Sequence, residues 1–136
     1  MRTLEILLKR ANRQMEELAI KANQVVAHRN DLITRRATSE AATTAEAAMI
    51  DGSPLASMGF AAYLDLQKQR LRQFDEELQD VEAQHEAAQR ELSRAFAEVK
   101  KLEMLIARQK EAKRLEDLQT EQSAFDERSS QMFGRN

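Results

Sequence analysis

Two histidines, His28 and His85, and three pairs of adjacent acids, Glu16-Glu17, Glu76-Glu77 and Asp126-Glu127, are the residues of this chain best suited by type to chemistry. A histidine titrates near neutrality, so it can pass a proton or bind a metal. Paired carboxylates divide acid and base work only when a pocket fixes their spacing and moves their pKa values. Neither histidine has a second His or a Cys at ligand spacing, and His85-Glu86-Ala87-Ala88-Gln89 is not the HExxH of zinc proteases. With no cysteine there is no disulfide framework and no thiolate metal site. The chain also lacks GxxxxGK[ST], GxGxxG and GxSxG, and Arg35-Arg36 is too short a basic run for a nucleic-acid arm. These residues therefore predict no catalytic site, no cofactor and no metal: the protein is not expected to be an enzyme.

The elements that must carry these residues explain why they are chemically quiet. Aromatics make up 4% of the 136 residues, charged residues 32%, and there are only three Gly and one Pro. That is the composition of long helices and coiled coils, with too little bulky apolar material for a closed globular core. Between residues 4 and 32 the heptad positions read Leu4, Leu8, Ala11, Met15, Leu18, Ala22, Val25, Arg29 and Leu32, eight of nine apolar. Such a repeat keeps one stripe facing a partner helix. Past Leu32 the stripe weakens through Arg36 and Ser39 into an Ala/Thr-rich run over Ala37–Met49, which has little to bury and is expected to be loosely packed or frayed.

The one strong break lies at residues 50–57. Asp51-Gly52 makes a turn, Ser53 caps the next helix, and Pro54 suits a first turn, where its missing N–H is not needed; a start at Ser57 is equally compatible. From there the seam runs Phe60, Leu64, Gln67, Leu71, Phe74, Leu78, Val81, His85, Ala88, Leu92, Ala95, Val99, Leu102, Ile106, with only Gln67 and His85 polar. The expected fold is all-α: two long helices, about 3–48 and about 58–133, forming a single antiparallel coiled-coil hairpin over residues 1–136. At about 1.5 Å per residue they span roughly 70 and 110 Å, so the second helix overhangs the first. Folding back puts Leu4 near residue 100 and His85 opposite Leu18 or Ala22. His85 then reads as a polar seam residue that helps set register. Arg29 and Gln67 read as snorkelling or solvated defects in the seam, and the acid pairs as solvated charges.

Beyond Ile106 the phase of the stripe slips. Leu115, Leu118, Phe125, Met132 and Phe133 form a stripe with no partner inside the chain, and an uncovered amphipathic helix is an interaction surface. A heterologous protein partner is favoured over self-association, because the first hundred residues already satisfy each other. The net charge of −2 gives no push toward nucleic acid or a membrane surface. Residues 1–36 hold eight Lys or Arg against four acids, an asymmetry that favours pairing with the acidic remainder. No run approaches the ~20 apolar residues of a membrane span, and Glu5 and Lys9 interrupt any signal-peptide core. The expectation is a soluble, cytoplasmic protein.

Residues 58–133 resemble the flagellar export protein family FliJ. The similarity runs through GFAAYLDLQKQRL, ELSRAFAEVKKLEMLIARQ and LEDLQTEQSAFDERSSQMF, with Tyr63-Leu64, then Lys101-Leu102-Glu103 and Leu105, then Glu121-Gln122 and Asp126-Glu127 in the family's order. The N-terminal half matches by length and pattern alone. The resemblance implies a cytoplasmic component of the flagellar type III export apparatus, peripheral to the inner face of the membrane. There it would act as a coiled-coil stalk like the γ-subunit of rotary ATPases. Its implied partners are the flagellar export ATPase ring, whose assembly it promotes, the cytoplasmic domain of the export gate, and export chaperones. Leu115, Leu118, Phe125, Met132 and Phe133 are then the candidate ATPase contacts, and Tyr63, Gln67 and Arg70 the candidate gate contacts. The rival readings are the stalk of a virulence type III secretion system and a self-associating structural coiled coil.

Overall fold

The computed structural model describes residues 2–134 and is all-helical, a hairpin of two helices with no strand among those residues. Helix α1 is Arg2–Ala48, 47 residues, and α2 is Pro54–Gly134, 81 residues. Ala, Leu, Glu, Gln, Lys and Arg lose little on entering a helix, and no Gly or Pro falls inside α1. Gly52 carries the reversal: its φ of +80° lies in the left-handed region, where a side chain is strained. Asp51 accepts a hydrogen bond from the Ser53 N–H at 3.1 Å, and the Ser53 hydroxyl accepts one from the Ala56 N–H at 3.1 Å. That second bond is an N-cap on the third residue of α2, with Pro54 at the first position. The cap holds the start of α2 at Pro54, the earlier of the two starts the sequence offered and a few residues before the expected bound of about 58.

The chain divides into two compact units, Glu16–Ser93 and a second that joins the start of α1 to α2 from Arg94 onward. In Glu16–Ser93 three cross-helix pairs define the register. Ser39 meets Gln67, Arg36 meets Asp75, and Arg29 meets Glu82. As the α1 number falls the α2 number rises, so the helices are antiparallel. This register puts His85 level with the turn of α1 beginning at Ala22. Ala22, Leu32, Val81 and Ala88 are the buried apolar residues here, with Leu32 and Val81 almost wholly enclosed. Each of those two side chains stabilises the pairing by about 2 kcal/mol through removal from water. Every heptad position expected in this unit, from Leu18 to Ser39 and from Phe60 to Leu92, is buried or half-buried, while most intervening positions are exposed.

In the second unit Leu4, Leu8, Ala11 and Met15 of α1 are half-buried, and Val99, Leu102 and Ile106 of α2 form the buried core. Burial stops at Ile106. From Ala107 to Gly134 no residue of α2 is buried and only Ala124 and Ser129 are half-covered. The seam therefore ends where the phase of the apolar stripe slips.

Two expectations need correction. Ala37–Ala48 is helical rather than frayed, though only Ser39 and Thr43 in it are covered, and its threonines bond within the helix. Thr34, Thr38, Thr43 and Thr44 each donate to the carbonyl four residues back at 3.0–3.1 Å. Gln67 is not a solvated defect but one of the most buried residues, 6% exposed. Its Oε1 accepts a 2.8 Å hydrogen bond from Ser39 Oγ, itself buried. Arg29 does snorkel, half-buried along its stem, and its guanidinium gains a contact with Glu82 at 3.6 Å across the helix pair.

Candidate functional site

The end of α2 carries an uncovered apolar surface. Leu115 and Leu118 are about half exposed, Phe125 is 67% exposed, and Met132 and Phe133 reach 75% and 82%. At 100° per residue all five fall within an arc of roughly 100°, so they make a stripe rather than a scatter. The helix continues through this region on its own ladder, with local polar contacts beside it. Arg114 grips Glu111 with two hydrogen bonds of 3.1 and 2.7 Å, which hold the Glu111 carboxyl below its ordinary pKa and the guanidinium above its own. Thr120 donates to the Glu116 carbonyl at 3.0 Å. The surface offers apolar side chains for burial and no arrangement for bond-making.

Tyr63, Gln67 and Arg70 are separated by burial. Tyr63 is half-buried, stacked on Phe60 with centroids 6.2 Å apart, and lines a hollow of about 320 Å³ with Met49 and Glu46. Arg70 is exposed on the rim of a different groove, about 390 Å³, walled by Thr34, Thr38, Ala42 and Phe74. Gln67 lies at the bottom of that groove, occupied by Ser39. Its amide is thus committed to the hairpin, and of the three residues Arg70 presents the most accessible polar group. Beside this groove the Arg36 guanidinium donates to Asp75 at 2.8 Å and to Glu40 at 2.6 Å, and the Asp75 bond foremost raises its pKa.

His28 is exposed, and His85 is half-buried with its Nδ1 enclosed and without a hydrogen-bond partner. The acid pairs Glu16-Glu17, Glu76-Glu77 and Asp126-Glu127 are all exposed. Among the described residues no three His, Cys, Asp or Glu are grouped so as to hold a metal ion, and no helix is long and apolar enough to cross a membrane.

Two features escaped the sequence reading. Ser39 stood at a seam position where the apolar stripe had lapsed, and its pairing with Gln67 follows only from the register. The other is an outward face of α2 on which Phe96 and Met104 are 52% and 56% exposed. They flank Lys100, whose ammonium lies 5.3 Å from the Phe96 ring centroid. Two large apolar residues eight apart, off the heptad, were its signal.

Compared with known proteins, the sequence matches the family described as flagellar FliJ protein over residues 1–136, the whole chain. No curated protein and no solved structure matches it.

Proposed function

Because this chain belongs, over its full length, to the flagellar FliJ family, we propose that it serves flagellar protein export as a non-enzymatic stalk. In this reading the free end of α2 binds the export ATPase ring and promotes its assembly, while the hairpin couples the ring to the export gate and receives export chaperones at the inner face of the membrane. The observation that carries the reading is the uncovered stripe Leu115, Leu118, Phe125, Met132 and Phe133, on a helix of 81 residues whose burial ends at Ile106. An apolar stripe of this kind has a binding surface's composition and no internal use. On the other unit, Arg70 with the exposed edge of Tyr63 is the proposed gate contact, and Gln67 supports that surface from beneath. The family match is to the flagellar system, which ranks this reading above a virulence-system stalk.

The test is turnover and ring formation of the cognate export ATPase with equimolar protein. Stimulation is expected, and Leu118→Asp with Phe125→Asp should remove most of it, on the order of tenfold, as loss of anchor residues at an interface does. Turnover indifferent to the unmodified protein sinks the stalk reading. A stable oligomer in sedimentation that the same double substitution dissolves would instead establish the self-associating coil.

A further inference from the structure

The net charge of −2 conceals a basic stretch shared by the two helices. Residues 2–15 of α1 hold four Lys or Arg against one acid, and residues 94–114 of α2 hold seven against three. These segments belong to the same compact unit, and its paired length, residues 2–15 and 94–106, holds seven cations against three anions. The expected pairing of first-segment cations with later acids is made elsewhere in the hairpin. Both cross-helix ion pairs among the described residues, Arg29–Glu82 and Arg36–Asp75, lie in the other unit.

On the outer side of this basic stretch, away from the buried Val99, Leu102 and Ile106, α2 presents Phe96, Lys100, Met104 and Arg108 at successive four-residue steps. Ala97, Lys101 and Leu105 lie beside them, around a hollow of about 630 Å³. Every residue that lines the hollow comes from α2. A groove that receives a partner helix is walled by more than one element; this surface comes from one helix, with Phe96 and Met104 about half exposed on it. Its form suits insertion into a partner rather than reception of one. Lys100 bridges the Phe96 ring and Glu103, the latter at 3.2 Å, whereas Lys101 and Arg108 have no ion pair among the described residues. Exposed Phe and Met beside Lys and Arg, on a length of paired helix with more cations than anions, complement a surface that is diffusely negative outside and apolar just beneath. An anionic bilayer has that structure. An acidic protein would match the charge but give the exposed side chains no fluid apolar layer to enter.

We infer that the outer face of α2 at Phe96, Lys101, Met104 and Arg108 docks this unit on an anionic lipid surface, with Phe96 and Met104 entering the headgroup–acyl boundary and the cations holding the lipid charge. This goes beyond the stalk reading and stands without it, since it needs neither the ATPase nor the end of α2.

Flotation of the full chain with phosphatidylcholine vesicles, with and without about 30% phosphatidylglycerol, tests it. The protein should float with the anionic vesicles, stay behind with neutral ones, and be released as salt rises toward roughly 0.5 M, where charges are screened. Phe96→Ser with Met104→Ser, and separately Lys101→Glu with Arg108→Glu, should each lower partitioning about tenfold, with helicity by circular dichroism unchanged. Lys68→Glu with Arg72→Glu, the same charge change in the other unit, should leave partitioning within about twofold. Three outcomes overturn the inference: no flotation on anionic vesicles, an equal loss from the Lys68/Arg72 pair, or full binding by the Phe96/Met104 variant.

Discussion

Ser39 and Gln67 form a buried side-chain-to-side-chain hydrogen bond between the two helices, 2.8 Å long and enclosed on both sides. A neutral bond of this kind adds only about 1 kcal/mol net, but stripping one partner leaves the other buried and unpaired at a cost of about 1–3 kcal/mol. Ser39→Ala should therefore destabilise the hairpin by that amount in urea denaturation. Ser39→Ala with Gln67→Leu should recover most of the loss, because no polar atom is then stranded. The pair also specifies alignment, since a slip of one turn would bury Gln67 against Arg36 or Thr43 instead. That makes it a register device of the kind polar seam residues supply elsewhere. His85 does not perform that task through hydrogen bonding: its Nδ1 is enclosed without a partner. Ser39 could not be recognised as the residue that matters from its own type, because a serine where the seam lapses carries no sign of which residue it meets on the other helix.

At the scale of elements, the turn and the free end of α2 behave oppositely. The turn is locally determined. Gly52 at φ +80° has open space around its Cα, so Gly52→Ala meets no clash and pays only for the left-handed backbone. It should cost about 1 kcal/mol, seen as a lowered unfolding midpoint without loss of helicity. Asp51 accepts a hydrogen bond from the Ser53 N–H, which holds its carboxyl below the ordinary carboxylate range. The end of α2 has only its own backbone ladder to hold it. A helix without tertiary packing is marginal in water, so amide hydrogen exchange should be much faster over residues 107–134 than over 60–106. Equal protection across Ile106 in the isolated monomer would contradict the burial pattern. The helical period exposed this contrast in advance: the same rule that aligned fourteen seam positions from Phe60 to Ile106 also marked where alignment stopped.

For the whole molecule, folding and binding rest on different residues. Stability comes from the seam, where Leu32 and Val81 are enclosed, whereas the proposed ATPase contacts are exposed. Leu118→Asp with Phe125→Asp should accordingly leave the unfolding free energy within about 0.5 kcal/mol of the parent, so that any loss of ATPase stimulation reports on the interface and not on folding. The sequence by itself determined that the chain forms two helices, where the chain turns, which stripe is buried, and that the second helix outruns its partner. All of these are local or periodic properties, governed by backbone propensity and by the near-match of a seven-residue repeat to two helical turns. Only the tertiary structure decided which residues meet across the seam: that Ser39 seats on Gln67, that Arg29 and Arg36 find Glu82 and Asp75, and that two basic stretches distant in sequence share one unit. An apolar heptad pattern specifies which face is buried, but nearly equivalent apolar contacts recur when one helix slides along the other by a repeat. The register is set by a few polar pairs, and they acquire their meaning only once the two helices lie side by side.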